Sequence, residues 1–398
     1  MRSAVRRGPR YQPHGVCLRI LFVVSGLGLG GAERQIVLLS KELVRLGHGV
    51  SIYTLTRHTP RIDELARTDV DVVIDQKRRR LDLGVLRRLR RRILLWRPDI
   101  VHGFLYDGDL YSRLAGWGAG VPVLNSERND NYELSLLQRV GYRLTSMLCD
   151  GIVANSHAGA AFARRLHRAR EDEVHVVWNG IDLQEVDARI ASSQQPARQI
   201  FPARDVKRLC IVGAVKPQKD YLLGLRVFRR LVDRDSSWRL ICVGDELPDR
   251  FGGYKARVLA ELNRLQLEPF VEFVGHRRDV PEIIASSDLL LVTSAHEGFP
   301  NVVLEAMACG TAVVSTDYSD VRRILPAAEQ VVGSRDEGDL ADAVVHCFAR
   351  RAELAGAQRR WVERHGAVAA SAAALLAVYA ALCPMRRAPT PAHSPGRS

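Results

Sequence analysis

Three features that would place the 398-residue chain in a special class are absent from its sequence. The seven cysteines form no Cys-x-x-Cys pair and no Cys/His metal spacing, which argues against a secreted disulfide framework and fits a reducing compartment. The longest apolar run, Ala367–Cys383, is shorter than the about 20 residues of a membrane-spanning helix. The basic N-terminus lacks the apolar core and cleavage site of a signal peptide. We therefore expect a cytoplasmic protein.

The order of apolar segments predicts two α/β halves, and the length suits two domains. Strand-like runs alternate with helical patterns from Leu18 to Asn155 and again from Leu209 to Ser315, which predicts a parallel sheet covered by helices in each half. A segment rich in Ser, Gln, Pro and charge interrupts the alternation. The predicted boundaries are a basic extension (1–17), a first domain (18–183), a linker (184–206), a second domain (207–365), a C-terminal helix (366–383) and a disordered tail (384–398).

Positive charge is concentrated in the first half. Of the net charge of +13, +10 lies in residues 1–182, and residues 76–97 contain ten basic residues and one acid. Apolar residues recur there at helical spacing, which predicts a basic helix with one apolar stripe. The stripe consists of Leu86, Leu89, Ile93 and Trp96. Three interpretations remain open: a solvated helix packed on the sheet, an anionic-membrane surface at residues 77–97, and a nucleic-acid site, which lacks an aromatic platform.

A glycine-rich loop follows the first predicted strand. Gly26, Gly28 and Gly31 match G-x-G-x-x-G, which binds dinucleotides when an acid follows at the end of the second strand. The second strand, Val50–His58, contains no Asp or Glu. An oxidoreductase that uses NAD(P) or FAD is therefore an alternative that lacks its expected acidic residue.

The most informative segment is EGFPNVVLEAMACG, residues 297–310. It predicts a loop followed by the first turn of a helix, whose free N–H groups and partial positive charge suit a phosphate. Glu297 precedes this helix, and Glu305 lies within it, where a carboxylate can accept hydrogen bonds from sugar hydroxyls. The segment therefore predicts a site that binds a phosphate and a polyol together, as a nucleotide-sugar requires.

This segment also resembles the E-x7-E signature of retaining glycosyltransferases of family 4, of the type found in bacterial surface polysaccharide biosynthesis. The loop GLGLGGAERQ, residues 26–35, is similar to the family's glycine loop. The resemblance implies the α/β fold called GT-B, in which two doubly wound, Rossmann-like parallel-sheet domains face a central cleft. It further implies that the second domain binds the nucleotide-sugar donor, that the first binds the acceptor, and that no metal ion or other cofactor is required.

The resemblance implies roles for individual residues. Glu297 would contact the donor sugar and stabilise positive charge at its reacting carbon, and Lys219 would stabilise the leaving diphosphate. His102, at a strand end, would orient the sugar or acceptor, and a packed histidine is an equal alternative. The implied donor-binding residues are Glu305, Gly298, Phe299, Pro300, Asn301, Val302, Lys216, Gly275, His276, Arg277 and Asp245. The implied acceptor or sugar-loop residues are Gly28, Gly30, Gly31, Glu127 and Arg128.

Some positions depart from the family pattern. Ala214 replaces an arginine that is frequent in the family, and Lys216 is the candidate replacement for its charge. The segment 121–130 lacks the histidine that many members have there, so the resemblance identifies no general base. Asp107 and Asp109 flank a glycine as in the DxD metal motif of another glycosyltransferase fold, but this pattern is common in turns, and we expect no metal site.

The motifs together with the family resemblance imply a retaining, metal-independent glycosyltransferase that moves a sugar from a nucleotide-sugar to a lipid-linked saccharide or polysaccharide. The basic helix would hold it peripherally on the cytoplasmic face of a membrane, with no nucleic-acid partner. The alternatives are a nucleotide-sugar epimerase of the same architecture, the oxidoreductase above, and a non-catalytic sugar-binding protein, which would have little reason to keep Lys219 and both glutamates.

Overall fold

Strands form two sheets in the computed structural model, which describes residues 17–28, 30–128, 135–167, 169–203, 205–246 and 253–383. The first sheet contains β1 (Arg19–Val24), β2 (Gly49–Thr54), β3 (Asp71–Ile74), β4 (Ile100–Phe104), β5 (Val123–Glu127), β6 (Gly151–Ala154) and β7 (Val174–Val176). Its strand order is β3-β2-β1-β4-β5-β6-β7, and β1 pairs in parallel with both β2 and β4.

The second sheet repeats the order of the first six strands. It contains β8 (Lys207–Val212), β9 (Trp238–Val243), β10 (Val271–Gly275), β11 (Leu289–Val292), β12 (Ala312–Thr316) and β13 (Val331–Val332). Its order is β10-β9-β8-β11-β12-β13, with β8 parallel to both β9 and β11. Both orders reverse beside the first strand, and doubly wound sheets bind ligands beyond the carboxyl ends of the strands at this reversal point.

Helices follow most of the strands. The first seven are α1 (Gly31–Arg45), α2 (Leu83–Trp96), α3 (Leu105–Gly116), α4 (Leu136–Thr145), α5 (His157–His167), α6 (Leu183–Ala191) and α7 (Pro196–Ile200). The next eight are α8 (Tyr221–Arg234), α9 (Tyr254–Arg264), α10 (Val280–Ala285), α11 (Asn301–Ala308), α12 (Val321–Ile324), α13 (Glu337–Ala349), α14 (Arg351–Trp361) and α15 (Val368–Leu382). A π-helical turn, Val362–Gly366, lies between α14 and α15.

The chain divides into two compact units. The first contains the described residues up to Ser126, together with Val140–Ile152 and α15 from Ala372 onward. The second contains the described parts of Glu127–Arg139 and Val153–Ser371. Each unit has its own buried core of apolar side chains. The second unit thus begins earlier in the sequence than the predicted domain boundary at residue 183.

The range predicted as a linker, 184–206, contains most of α6 and the whole of α7. Val186 and Ala197 are buried in the core of the second unit, which explains why this polar segment is folded. Asp182 also starts α6 by accepting a hydrogen bond from the Glu185 N–H at 3.0 Å.

The strands predicted from apolar runs are confirmed. Apolar runs identify them because helices cover the faces of a parallel sheet, so that its strands are mostly apolar. The sequence did not predict β7 and β13, which are only three and two residues long. Helices α13 and α14 are separate, because the backbone leaves the helical region at Arg350 (φ −106°, ψ 11°).

Within the described ranges, no helix combines the length and hydropathy needed to cross a bilayer. All seven cysteines lie in these ranges, and none forms a disulfide. Of the predicted basic extension, only Cys17 is described, and the predicted disordered tail, 384–398, lies outside the described residues.

Candidate active site

The loops after β8 and β11 meet at the reversal point of the second sheet. The Ala295 N–H donates to the Gln218 carbonyl at 2.8 Å, and the Gln218 side chain donates to the His296 carbonyl at 2.6 Å. These bonds join the two loops that follow neighbouring strands. This is the place where a doubly wound sheet is expected to bind a ligand.

Lys219 and Glu297 form an ion pair in these loops. The distance between Lys219 Nζ and Glu297 Oε1 is 2.8 Å, and each side chain is only 14% exposed. Ser294 donates its hydroxyl to the same carboxylate oxygen at 2.5 Å. Gly213 has a φ of +149°, at which a side chain would be strained, and a Cβ atom there would lie 2.8 Å from Lys219 Cε. The structure thus brings together the predicted sugar-contacting carboxylate and the predicted diphosphate-binding cation.

Side chains on both sides of the start of α11 pack in the core, which leaves the backbone for a ligand. Phe299 and Val302 are buried in the core of the second unit, and Gly298 and Pro300 are buried as well. The helix begins directly after Pro300, which provides no side-chain cap for the first turn. The first-turn N–H groups are therefore the part of this segment suited to an anion. Glu305 is half-buried further along the helix.

Three strand ends lie side by side at the same edge of the sheet. The Gly244 N–H donates to the Gly275 carbonyl at 2.9 Å, and the Val215 N–H donates to the Asp245 carbonyl at 3.0 Å. A Cβ atom on Gly244 would lie 2.0 Å from the Gly213 carbonyl oxygen, so a side chain at Gly244 would separate the ends of β8 and β9. The predicted donor-binding residues Asp245 and Gly275 thus lie close to the loop that carries Lys219.

The polar residues of this edge are paired with one another. Arg277 is exposed and donates two hydrogen bonds to the Asp279 carboxylate, at 2.8 and 2.7 Å. Lys255 Nζ lies 2.6 Å from Asp245 Oδ1, and this hydrogen bond lowers the pKa of Asp245. His276 is exposed beside them. These side chains therefore form a polar rim at the ends of β9 and β10.

Lys216 lies in the same loop as Lys219. Its side chain is half-buried, and its carbonyl accepts a hydrogen bond from the Lys219 N–H at 3.0 Å in the 3₁₀ turn Pro217–Lys219. Ala214 is half-buried two residues earlier. Lys216 therefore remains the candidate for the positive charge that Ala214 does not supply.

Arg128 is connected to the start of α11 through Asn179. Arg128 Nη1 donates to Asn179 Oδ1 at 2.9 Å, and Asn179 Nδ2 donates to Asn301 Oδ1 at 2.7 Å. Asn179 is buried, as is the neighbouring predicted acceptor residue Glu127. The structure thus joins one residue predicted to bind the acceptor, Arg128, to one predicted to bind the donor.

His102 lies in the interior of the first unit. Its Nδ1 is 2.7 Å from the Tyr379 hydroxyl and its Nε2 is 2.8 Å from the Ser126 hydroxyl, and the side chain is fully buried. Both ring nitrogens are therefore occupied by hydroxyl groups of the protein. This environment matches the packed-histidine alternative.

The glycine loop leads into α1 in the first unit. Gly30 directly precedes the helix, which begins at Gly31. A Cβ atom on Gly28 would lie 3.4 Å from Glu33 Oε1, and one on Gly30 would lie 2.4 Å from Glu33 Oε2. The carboxylate of Glu33 thus folds back over the loop. Strand β2, Gly49–Thr54, ends without the acid that dinucleotide binding requires.

The two aspartates of the DxD-like pattern have partners in the first unit. Asp107 pairs with Lys77. Asp109 is buried and accepts hydrogen bonds from Asn125 Nδ2 and the Tyr142 hydroxyl, both at 2.8 Å. Burial raises the pKa of Asp109 to about 6. Among the residues that the structure describes, no group of three potential metal ligands is present.

Helix α2 packs its apolar stripe on the core of the first unit. Leu89 and Ile93 are buried there. Arg88 and Arg92 pair with aspartates of the neighbouring β3 segment. Several exposed arginines of this region have guanidinium groups that pair with no carboxylate of the described residues, among them Arg78, Arg79, Arg80, Arg87 and Arg91.

Family models match both halves of the chain. A model described as "Glycosyltransferase Family 4" matches residues 29–185, and one described as "Glycosyl transferases group 1" matches residues 206–350. The two matches together span about three quarters of the chain. The chain therefore belongs to the glycosyltransferases of family 4 and is an enzyme that transfers a glycosyl group.

Individual relatives agree with this assignment. The N-acetylgalactosamine-N,N'-diacetylbacillosaminyl-diphospho-undecaprenol 4-alpha-N-acetylgalactosaminyltransferase of Campylobacter jejuni is 29% identical over 150 residues, 38% of this chain and 36% of that protein. The mannosylfructose-phosphate synthase of Agrobacterium fabrum is 25% identical over 341 residues, 74% of this chain and 73% of that protein. The chain thus spans about a third of the first relative's length and about three quarters of the second's.

Solved structures show the same fold. The crystal structure of Anabaena HepE in complex with UDP has a TM-score of 0.78 and 19% identity, over 92% of this chain and all of that one. The predicted GT-B class, with two parallel-sheet α/β domains, is confirmed. The matches favour neither the oxidoreductase nor the epimerase alternative.

Three residues that connect the loops of the site were not predicted from the sequence. Ser294 binds the Glu297 carboxylate, Asn179 links Arg128 to α11, and Arg335 contacts the loops of Lys219 and Glu297. Asn179 precedes a glycine, which indicates a turn but not its distant partners. Ser294 and Arg335 lie in loops with no motif that would have revealed them.

Proposed function

We propose that this glycosyltransferase moves a sugar from a nucleotide-sugar to a hydroxyl group of a lipid-linked saccharide or polysaccharide, with retention of the anomeric configuration. The observation that carries the proposal is the Lys219–Glu297 pair, which lies at the reversal point of the second sheet and just before α11. A cation, a carboxylate and the N–H groups at the start of a helix suit a diphosphate joined to a sugar ring.

Each part of a nucleotide-sugar has a chemically suitable partner on the second unit. Lys219 and the first turn of α11 would bind the diphosphate, and Glu305 would accept hydrogen bonds from the ribose. Glu297 would contact the sugar. The loop at Gly275 and His276 would pack against the base through its backbone. The UDP in the HepE complex supports a nucleotide donor.

The transfer reaction would use these groups in one step. As the bond between the anomeric carbon and the phosphate oxygen breaks, Lys219 would stabilise the charge on the diphosphate and Glu297 the charge on the sugar. The acceptor hydroxyl would attack the same face, and its proton would pass to the departing phosphate oxygen. The products are the glycosylated acceptor and a nucleoside diphosphate, and we propose no role for a metal ion or other cofactor.

A lipid-linked acceptor is supported by a relative and by the surface of the protein. The Campylobacter relative is named for a diphospho-undecaprenol-linked substrate. Ten of the twelve large apolar side chains that are exposed in the described residues lie between Ile74 and Met147, which is also the region of the unpaired arginines. Exposed apolar groups and arginines in the same part of the chain suit the interface of an anionic membrane.

Nucleotide release from sugar nucleotides tests the proposed reaction without knowledge of the acceptor. UDP-glucose, UDP-galactose, UDP-N-acetylglucosamine and GDP-mannose would each be incubated with the wild type, with Glu297→Gln and with Glu337→Gln. Glu337 is a matched control because it pairs with an arginine on the surface of the same unit. We expect slow release by the wild type and the control, and a loss of about 100-fold or more in Glu297→Gln. Equal release by all three proteins would refute the assigned site.

Co-sedimentation with vesicles tests the membrane surface. Replacing the five exposed arginines by glutamine should release the protein from vesicles that contain phosphatidylglycerol, at about 1 kcal/mol per charge. The replaced residues are Arg78, Arg79, Arg80, Arg87 and Arg91. The matched control removes five arginines of the second unit, Arg226, Arg229, Arg230, Arg234 and Arg264. Equal retention of both variants on the vesicles would contradict the proposal.

A further inference from the structure

Arg335 reaches the candidate active site from the loop after β13. Its Nη2 lies 2.6 Å from Asp220 Oδ2 and 3.1 Å from the Thr293 carbonyl oxygen, and its Nη1 lies 3.1 Å from the Ser294 carbonyl oxygen. One guanidinium group therefore contacts the loop after β8 and the loop after β11 at once.

Two of the contacted residues adjoin or bind the members of the ion pair. Asp220 follows Lys219 and has a left-handed backbone conformation (φ +47°), which a non-glycine residue keeps only when its surroundings hold it. Ser294 binds the carboxylate of Glu297 through its hydroxyl. Arg335 is thus connected to Lys219 through the neighbouring residue Asp220, and to the Glu297 carboxylate through Ser294.

Thr293 completes the connection between the loops. Its hydroxyl lies 2.9 Å from the Lys219 carbonyl oxygen and 3.0 Å from the Asp220 carbonyl oxygen. The Asp220 carboxylate also starts α8, because its Oδ1 accepts from the Leu223 N–H at 3.2 Å. Removing the Arg335 side chain would leave these bonds in place but would remove the contacts of its guanidinium group with both loops.

The contribution of Arg335 to stability should be small. The side chains of Arg335 and Asp220 are 40% and 29% exposed, and ion pairs of such exposure contribute little to folding. Arginine is suited to the geometry because its planar group presents several donors at fixed angles, whereas lysine presents a single ammonium group. The role of the Arg335 side chain is therefore better explained by holding the two loops in position than by a contribution to folding stability.

We propose that Arg335 is a positioning residue for glycosyl transfer, which keeps Lys219 Nζ and Glu297 Oε1 at the separation that the leaving diphosphate and the sugar require. The inference rests on the proposed function. Small displacements of reacting groups are costly, and a shift of about 1 Å can slow a reaction about 100-fold.

The test compares Arg335→Gln and Arg335→Lys with Arg230→Gln in the nucleotide-release assay with UDP-glucose and the other three donors. Arg230 is a matched control because its partner, Glu337, is two residues from Arg335 and outside the site. We expect kcat to fall between about 10-fold and about 100-fold in Arg335→Gln, with the donor KM and the melting temperature close to those of Arg230→Gln. Arg335→Lys should recover only part of kcat, because lysine cannot contact all three oxygens.

A double variant shows whether Arg335 acts through Asp220. Asparagine at position 220 keeps the Oδ1 atom that starts α8 but removes the charge that Arg335 binds. If the two residues act as one unit, Arg335→Gln combined with Asp220→Asn should lose no more kcat than Arg335→Gln alone. Losses in kcat that multiply would contradict this route.

Two results would overturn the inference. Arg335→Gln could keep the kcat of the Arg230→Gln control, or it could lose kcat only together with its melting temperature, which would indicate a structural role. Failure of the proposed function gives a different result, because the wild type would then release no nucleotide from any donor and Glu297→Gln would change nothing. That outcome would also remove the reaction that Arg335 is proposed to serve.

Discussion

Removing the charge of Lys219 should lower both stability and catalysis. Removing the charge of Glu297 as well should recover part of the stability but none of the catalysis. The atoms Nζ and Oε1 are 2.8 Å apart, and both side chains are largely buried. Lys219→Met keeps the length of the side chain and removes its charge, which leaves Glu297 with Ser294 as its remaining partner in this pair of loops. Glu297→Gln removes the opposite charge, and the double variant removes both.

The structure sets the expected sizes of these effects. An unpaired and mostly buried carboxylate should cost Lys219→Met about 1–3 kcal/mol of unfolding free energy. The double variant should be more stable than Lys219→Met by about 1 kcal/mol, because no charge is then left without its partner. Catalysis should not recover in the same way. Loss of a group that stabilises a developing negative charge costs about 100- to about 1,000-fold in rate, so both Lys219→Met and the double variant should be slow.

Urea unfolding measures the stability, and nucleotide release the catalysis, of the wild type, the two single variants and the double variant. The matched control cycle uses Arg230→Met and Glu337→Gln, an exposed pair that should show little coupling. If the stability losses of Lys219→Met and Glu297→Gln simply add, the two residues are not coupled as the distance indicates. If Lys219→Met releases nucleotide at the wild-type rate, the lysine does not assist the leaving group.

Three further predictions follow from other parts of the chain. The pKa of Asp109 is raised from its ordinary value of 3.8 to about 6. Its contribution to stability is therefore present at low pH and is lost as pH rises through about 6, by about 3 kcal/mol. Urea unfolding of Asp109→Asn should lack this part of the pH slope, and an unchanged slope would refute the prediction. Gly244→Ala should lose at least about 2 kcal/mol more unfolding free energy than Gly310→Ala, because a Cβ atom would meet backbone at Gly244 and open space at Gly310. Equal losses would contradict the close approach of Gly244 to the Gly213 carbonyl. His102→Phe should lower the unfolding midpoint, since it removes the buried hydrogen bonds between the ring nitrogens and two hydroxyl groups, and should still release nucleotide; a folded variant without activity would restore the catalytic role.

The architecture of the site was largely predictable from local sequence. Apolar runs identify the strands, and the loop after each strand of a parallel sheet faces one edge. Lys219 and Glu297 follow β8 and β11, so the topology alone brings them close although 78 residues separate them. The start of α11 was predictable as well, since a loop with glycine and proline precedes an apolar helical pattern.

Contacts between distant side chains were not predictable in the same way. The ion pairs of α2 with β3 decide which arginines face solvent, and their partners lie 13 and 21 residues earlier in the sequence. His102 looks like a strand-end ligand in sequence, but Tyr379 reaches it from α15, 277 residues later. The 184–206 segment has the composition of a linker, and only its packing on the second unit shows why it is helical.

Binding of sugar nucleotides to the second unit tests the central claim most directly. Thermal melting would be followed for the wild type, for Glu305→Ala and for the exposed control Glu353→Ala, with the four sugar nucleotides, NAD and FAD. The account predicts that at least one sugar nucleotide stabilises the wild type and the control, by about 2.7 kcal/mol at 100 times its Kd, and that Glu305→Ala loses this effect. Stabilisation by NAD or FAD and by no sugar nucleotide would contradict the account and would move the ligand site to the Gly26–Gly31 loop.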